Sequence, residues 1–230
     1  METDRFASGR VVDLLRTRIL SGELAPGARI RQDQIAAEIG SSRLPVREAL
    51  QILRHQGLVE LRPNAGARVM AYDPAECDLV YRVRERVEPI VLAESAPRLS
   101  PETLDEMEAI QQRIEAERNL ASFLELDRRF HQLSYSACPM ASMIEMVDRF
   151  WDTTQHYRRT YSQLMGEDGW DAVDAEHRLI LSALRDGETQ MAAHVLEGHI
   201  RRSRLRLAAD PEAFTADQGG DLRTSRSRGR

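Results

Sequence analysis

SSRLPVREALQILRHQGLVELRPNAGARV, the segment from Ser41 to Val69, has the pattern of one short helix followed by two short strands. Arg43 and Arg47 lie one turn apart on the helix, and Gly57 precedes an apolar strand, a Pro-Asn-Ala-Gly turn and a second strand. This order is typical of a winged helix-turn-helix, whose recognition helix enters the major groove of DNA. The segment therefore predicts sequence-specific DNA binding.

Two further helices are expected before this segment. Apolar residues at helical spacing predict a first helix through residues 11–19 and a second through residues 35–39. Ser41 or Ser42 is placed to cap the third helix. Residues 1–7 are expected to lie outside the first helix.

Arginines at the start of the third helix are the candidates for reading bases. Arg43 and Arg47 share one face, and an arginine there can bond O6 and N7 of a guanine together. The alternative is that both arginines face solvent or pair with Glu48 and nearby acids. Phosphate contacts are expected from Ser42 and from residues of the wing and of the second helix, namely Arg31, Arg62, Asn64, Gly66 and Arg68.

The remainder of the chain has a helical pattern almost throughout. A long apolar series from Leu79 to Val91 predicts one helix, which is expected to kink at Pro89. Ser100 followed by Pro101 reads as the start of another helix. Further helices are expected at 102–117, 121–137, 140–165, 172–185 and 188–208, with breaks at 166–169 and 186–187. The predicted fold is mainly α: a winged helix-turn-helix followed by an antiparallel all-α bundle.

The charge distribution agrees with a division into two domains. Residues 1–72 hold 11 arginines against 8 carboxylates, whereas residues 73–209 hold 17 against 25. A basic head on an acidic body suits DNA binding by the head. Residues 210–230 are polar and aperiodic, and disorder is expected there.

Bulk composition excludes several other classes of protein. Apolar residues make up 42% of the 230 residues, without a run long enough for a membrane span and without a signal-peptide pattern at the N-terminus. Cys77 and Cys138 form neither a disulfide framework nor a CxxC pair. A protein of the reducing cytoplasm, away from membranes, is therefore expected.

Four residues of the helical part are candidate metal ligands. Asp127 and His131 are four apart and point from one helix face, while His177 and His199 belong to two later helices. Three helices of a bundle can bring these side chains around one point, where imidazoles and a carboxylate suit zinc, nickel, iron or manganese. Taken singly, a histidine is more often a core or surface residue than a metal ligand, and this is the expectation for His194.

Both parts of the chain resemble known domains. The segment from Ile19 to Val69 looks like the DNA-binding domain of the GntR family, with Ser41 and Leu44 as departures from its usual residues. LDRRFHQLS from Leu126, AEHRLILSALRDGE from Ala175 and AAHVLEGHI from Ala192 are similar to signatures of the FCD domain. This is the C-terminal domain of the FadR subfamily, here of the compact six-helix type.

The resemblance implies a homodimeric, ligand-responsive regulator, expected to be a repressor that binds an inverted repeat. Asp127, His131, His177 and His199 fall on the positions that carry metal in metal-binding members, with zinc favoured. A small carboxylate effector is implied, and Arg84 is either its partner or a surface pair with Glu88. The alternatives are a metal sensor without an organic effector and a metal-dependent hydrolase; no catalytic residues are assigned.

Overall fold

A computed structural model describes residues 2–62, 66–71, 73–163 and 165–209. The chain divides into two compact units between Asp73 and Pro74, which we call the head and the body. The expected tail, 210–230, lies outside the described residues. None of the described helices combines the length and the apolar character needed to cross a bilayer.

The described residues of the head form three helices and a small sheet. Its elements are α1 (Glu2–Leu20), β1 (Arg29–Ile30), α2 (Gln32–Glu38), α3 (Arg43–His55), β2 (Val59–Arg62) and β3 (Gly66–Val69). All strands are antiparallel in the order β1-β3-β2, with Arg29 opposite Arg68 and Arg62 opposite Gly66. The expected winged helix-turn-helix is thereby confirmed, with β1 as a strand that the sequence pattern did not reveal.

One apolar core holds the head together. Val46, Ala49, Leu50 and Leu53 on the inner face of α3 are buried against α1 and the sheet. The expectation for residues 1–7 is wrong, because α1 begins at Glu2. Ser42 does occupy the N-cap position of α3, but its side chain makes no capping hydrogen bond.

The body is a helical bundle, as expected. Its elements are α4 (Pro74–Ser95), a 3-10 turn (Ala96–Arg98), α5 (Pro101–Glu117), α6 (Leu120–Tyr135), α7 (Ala141–Gln163), α8 (Glu167–Arg185) and α9 (Thr189–Ala208). Pro89 lies inside α4, which continues through it. Ser100 caps α5, its hydroxyl accepting from the amide of Thr103 at 3.2 Å.

The expected break at 166–169 is correct at Gly166, which lies between α7 and α8, but wrong for 167–169, which are helical. Gly166 is the N-cap of α8, and Glu167 and Asp168 form its first turn. Carboxylates are favourable there because the helix dipole is positive at that end. The helix therefore begins earlier than residue 172, and its break from α9 is at Gly187, where φ is +73°.

In the body, α4 packs against α6 and α9, and α8 packs against α9. Among the described elements, α4 packs most extensively against α9, while α5 packs against α6 and α8. Large side chains such as Tyr81, Phe130 and Tyr135 are fully buried between these helices. The core of the body also contains a group of buried polar residues, which is unusual for a helix bundle and marks a site.

Candidate DNA-binding surface and metal centre

The first turns of α3 present polar side chains to solvent. Ser42, Arg43, Leu44 and Arg47 are all exposed, while the opposite face of α3 is in the core. Leu44 is 56% exposed, which is high for a large apolar residue and suits a surface that is covered on binding. The pair Arg43 and Arg47 thus lies on the face of α3 that points away from the core of the head.

Arg43 has a carboxylate partner within the head. Its Nε forms an ion pair with Asp33 at the start of α2, and both side chains remain well exposed. The alternative that nearby acids pair with these arginines therefore holds for Arg43. An exposed pair of this kind contributes little stability, so DNA phosphates or bases can compete for the guanidinium.

The wing residues differ in their availability. Arg62 is exposed and pairs with Glu60 at 2.8 Å, and Gly66 has φ of +80°, a conformation that favours glycine. Asn64 lies outside the described residues. Arg68 is half-buried and donates from Nη1 to the carbonyl of Gly27 at 2.8 Å, so it helps to hold the turn before β1.

A hollow on the head brings further polar residues beside α3. It is lined by Arg29, Ile30, Arg31, Gln32, Asp33, Gln34, Arg43 and Gly66. Sequence reasoning missed Arg29, because β1 is too short to show a strand pattern. Arg31, which precedes α2, is exposed as expected for a phosphate contact.

The four predicted metal ligands converge in the body. Asp127 and His131 come from α6, His177 from α8 and His199 from α9, and all four are buried. One ligand atom from each lies within 4.8 Å of every other. The three imidazole ring centres are 5.0–5.1 Å apart. This donor set suits a divalent transition metal.

Two of the imidazoles are oriented by partners outside the cluster. Gln111 donates from Nε2 to Glu115 at 3.1 Å and to Asp174 at 3.0 Å, so its Oε1 faces Nδ1 of His177, 2.8 Å away. Nδ1 of His177 must then be the donor, which leaves the Nε2 lone pair for a metal. Metal-binding histidines are usually held by such an outer acceptor.

His199 is held in the same way by a carboxylate. Its Nδ1 lies 2.7 Å from Oε2 of Glu176, and Arg202 donates to both oxygens of that carboxylate at 2.8 and 2.6 Å. Burial would raise the pKa of Glu176, but the hydrogen bonds from His199 and Arg202 lower it to about 2. A fully ionised Glu176 keeps the proton of His199 on Nδ1.

Three imidazole nitrogens of the cluster make no hydrogen bond within the described part of the chain. Both ring nitrogens of His131 and Nε2 of His177 are buried and have no hydrogen-bond partner among the described residues. Such groups are costly to bury, because the lost contacts with water are not replaced. A metal ion among these four residues would supply the missing partner, so the residues present fit a metal.

Ionisation of the cluster also suits metal binding. Burial lowers the pKa of His131 well below its usual value, and burial likewise lowers the pKa of His177. For Asp127, burial would raise the pKa, but the positive charge of Arg158 holds it well below its ordinary range. Neutral imidazoles and an ionised carboxylate are the forms that ligate metals.

Arg84 and Glu88 form a buried pair, so the alternative of a surface pair is wrong. They are 3% and 0% exposed, and Nε of Arg84 lies 2.5 Å from Oε1 of Glu88. Glu88 also accepts from the hydroxyl of Tyr135 at 2.7 Å and from the indole of Trp151 at 3.2 Å. Arg84 nonetheless lines the cavity beside the metal cluster.

Arg158 on α7 is a second buried arginine, which sequence reasoning missed. It donates to Oδ2 of Asp127 and, at 2.9 Å, to Gln155, and its guanidinium lies 4.0 Å from the ring centre of Trp151. Arg158 is 31 residues from Asp127, without a local pattern that signals the contact. The contact of Gln111 with His177 was not predicted either, because it also lacks a local sequence pattern.

A small cavity adjoins the cluster. Its free space is about 30 Å³, and it is lined by Tyr81, Arg84, Phe123, Asp127, His131, Trp151, Arg158, Tyr161, Ser162, Val173, His199, Ile200 and Ser203. This volume holds on the order of two water molecules. His194 is exposed on α9 and is not part of the cluster.

Two family models match the chain, one in the head and one in the body. The model of bacterial regulatory proteins of the gntR family matches residues 7–69, and the FCD domain model matches residues 79–202. The chain belongs to the gntR family. It is a transcription regulator with a DNA-binding head and an FCD body, as the resemblance implied.

Relatives of this regulator include two named repressors. The probable D-xylose utilization operon transcriptional repressor of Paenarthrobacter nicotinovorans is 31% identical, covering 86% of this chain and 87% of the relative. The repressor RspR of Escherichia coli is 30% identical, covering 82% of this chain and 85% of the relative. The fold of the present regulator is similar to that of E. coli McbR/YncC, with a TM-score of 0.78. The match covers 89% of this chain and 98% of that chain, and the two sequences are 21% identical.

Proposed function

We propose that this regulator is a homodimeric repressor that binds an inverted-repeat operator in the bacterial cytoplasm and responds to a small organic acid at a metal site. The proposed ligand site is supported by one observation, a buried cluster in which some ring nitrogens lack hydrogen-bond partners among the described residues. Its members are Asp127, His131, His177 and His199. The two repressors among its relatives support the direction of regulation.

DNA recognition is assigned to the exposed start of α3. Arg43 and Arg47 would bond guanines in the major groove, with Ser42, Arg31, Arg62 and the wing around Gly66 on phosphates. Two heads related by two-fold symmetry would read the two halves of an inverted repeat.

An apolar stripe on α4 supports dimerisation of the body. Leu79, Val83 and Ile90 recur on one face of the helix and are 58%, 39% and 59% exposed. Apolar side chains grouped in this way usually mark an interface. A second copy of the body would cover them, and Ile90→Glu should then shift the protein from dimer to monomer in sedimentation experiments. Leu179→Glu on α8, where the side chain is 57% exposed, is the matched control.

The metal would be held by Asp127 and the three histidines, with zinc as first choice and nickel, iron or manganese as alternatives. A bound metal would supply Lewis acidity towards a carboxylate oxygen of the effector. The protein's part is to hold His177 through Gln111 and His199 through Glu176, and to keep Asp127 ionised beside Arg158.

The small size of the cavity suggests how a ligand would act. The free space holds on the order of two water molecules, so an organic acid of several heavy atoms would enter only if the lining side chains or helices moved apart. Arg84, which lines the cavity, lies on α4, and α4 begins at Pro74, where the head ends. A displacement of α4 would therefore alter the placement of the heads and their affinity for DNA.

Operator binding provides the test of the regulator assignment. DNA selected from a random library by the wild-type protein should lose affinity for Arg43→Ala plus Arg47→Ala, each lost guanine contact costing roughly 1–3 kcal/mol. Arg113→Ala, on the exposed surface of α5, is the control. Undiminished binding by the double variant would contradict the assignment.

A metal sensor without an organic effector is the second candidate, supported by the small free volume of the cavity. It predicts that metal alone changes operator affinity and that added organic acids change nothing. A hydrolase is not supported by the relatives, which are transcription regulators.

A further inference from the structure

One apolar side chain lies among the polar residues that begin α3. Leu44 is 56% exposed, and it is accompanied by exposed polar residues, namely Ser42, Arg43 and Arg47. Residues three apart on a helix are neighbours on its surface, so Leu44 lies beside Arg47 as well as next to Arg43 in the chain. A lone exposed leucine is ordinary elsewhere on a protein surface. Here it lies within the surface assigned to base contact, so it must face DNA when the arginines do.

A leucine side chain cannot form hydrogen bonds, which restricts what it can face in the major groove. Base edges there present acceptors, amino donors and one kind of apolar group, the C5-methyl of thymine. A donor or acceptor that is covered by leucine loses its contact with water without a replacement, which is unfavourable. Covering a thymine methyl removes apolar surface of both partners from water, which is favourable. Thymine is therefore the base that suits this side chain.

The position of Leu44 on the helix sets which base pair it would reach. An α-helix rises about 1.5 Å per residue, so Arg43 and Arg47 are about 6 Å apart along the axis. Successive base pairs are spaced by about 3.4 Å, so this interval corresponds to roughly two base pairs. Leu44 falls between the two arginines. With the start of α3 in the major groove, its methyl groups would face a base pair at or next to a guanine that an arginine bonds.

We propose that Leu44 is a specificity-determining residue that reads the C5-methyl group of a thymine beside a guanine in each half of the operator. This inference rests on the proposed function of the head and adds the identity of a second base. The arginines supply hydrogen bonds to guanine, and Leu44 supplies discrimination through an apolar contact at a neighbouring base pair. The same contact accepts 5-methylcytosine, which carries its methyl group at the same place on the ring.

Deoxyuridine provides the test, because it differs from thymidine only in lacking the methyl group. An operator selected from a random library by the wild-type protein is synthesised with each thymine replaced in turn by deoxyuridine, and fluorescence anisotropy measures the affinity. Pairing with adenine and the hydrogen-bonding groups of the major groove stay the same. At one thymine of each half-site, beside a guanine, the replacement should lower the affinity about fourfold, as expected for the loss of one buried methyl group.

A double-mutant cycle assigns the methyl contact to Leu44. Leu44→Ala should bind the thymine and deoxyuridine operators equally, since alanine is too short to cover the methyl group, and the cycle isolates this pairwise effect. Ile52→Ala is the matched control, because Ile52 is an apolar residue of the same helix, 42% exposed and about 12 Å further along the axis. The control should keep the full difference between the two operators.

Methylated cytosine provides a test in the opposite direction. Changing the sensitive thymine–adenine pair to cytosine–guanine should weaken binding by the wild-type protein, and 5-methylcytosine at the same position should restore part of the affinity. Leu44→Ala should show no such restoration. A gain of affinity on adding a methyl group separates the apolar contact from an effect of uracil on the shape of the DNA. Absence of this gain in the wild-type protein would contradict the assignment.

Failure of this inference and failure of the proposed function give different results. Undiminished binding by Arg43→Ala plus Arg47→Ala, or the lack of any selectable operator, would refute DNA recognition by α3 itself. A selected operator in which no thymine responds to deoxyuridine would overturn only the role of Leu44. An equal loss of affinity for both operators in Leu44→Ala would also overturn it, since leucine would then contact the sugar-phosphate backbone. Circular dichroism checks that the variant is folded, as expected for the replacement of an exposed side chain.

Discussion

Oε1 of Gln111 lies 2.8 Å from Nδ1 of His177, and the amide nitrogen of the same side chain donates to Glu115 and Asp174. This arrangement fixes which nitrogen of His177 carries the proton. It ties α5, which has no metal ligand of its own, to the cluster. The orientation of the ligand thus depends on a residue outside the set that would touch the metal.

Replacing Gln111 with leucine should weaken metal binding. The loss of such an outer partner typically reduces metal affinity by about 10- to 100-fold. Competition with a chromophoric chelator measures the change. Gln112→Leu, at the next position of α5, is the control, since Gln112 bonds only weakly, at 3.5 Å, to Glu108. Equal metal affinity of the two variants would contradict the orienting role.

Glu88→Gln should strongly destabilise the body. The substitution leaves Arg84 buried without its counter-charge, and breaking a buried pair typically costs about 3–5 kcal/mol. Urea unfolding followed by circular dichroism measures the free energy of unfolding. Glu94 lies on the same helix and forms an exposed pair with Arg98 of the following 3-10 turn, so Glu94→Gln should change that free energy by less than about 1 kcal/mol. A small effect of Glu88→Gln would mean that Arg84 finds another partner.

Asp33→Asn should raise the affinity of the head for DNA. The substitution frees Arg43 from its partner and removes a negative charge from the surface expected to face phosphates. An exposed pair is worth up to about 1 kcal/mol, so the gain is expected to be roughly two- to fivefold for operator and scrambled DNA alike. Fluorescence anisotropy measures both. Asp13→Asn on α1 makes the same charge change and should have less effect; weaker binding by Asp33→Asn would mean that Asp33 positions Arg43 for its contact.

The thiol of Cys77 should resist modification in the folded protein. Burial raises its pKa from 9.0 to about 12, so little reactive thiolate forms at slightly alkaline pH. Because the thiol ionises more easily in the unfolded chain, this group's contribution to stability is complete below pH 9 and is lost as the pH rises towards 12. Thiol labelling of a Cys138→Ala variant, with and without denaturant, measures the protection. Rapid labelling of the native variant would show that α4 opens locally.

Much of the fold could be predicted from residue patterns. The helical period of apolar residues indicated α3 and the body helices, and Ser100-Pro101 indicated the start of α5. The start of α8 was misplaced, because glycines near residue 166 resemble a linker while the adjacent carboxylates stabilise a first turn. Strand β1 was missed, because two residues cannot display alternation.

The sequence by itself determined the family, the recognition helix and the spacing of Asp127 and His131, because motifs and helical periodicity are local properties of the chain. Only the tertiary structure decided that Gln111 orients His177, that Arg158 meets Asp127 and that Arg84 is buried with Glu88. The first two contacts join residues 66 and 31 positions apart. Which side chains meet across such separations depends on how whole helices pack, and packing is a property of the folded chain rather than of any local pattern.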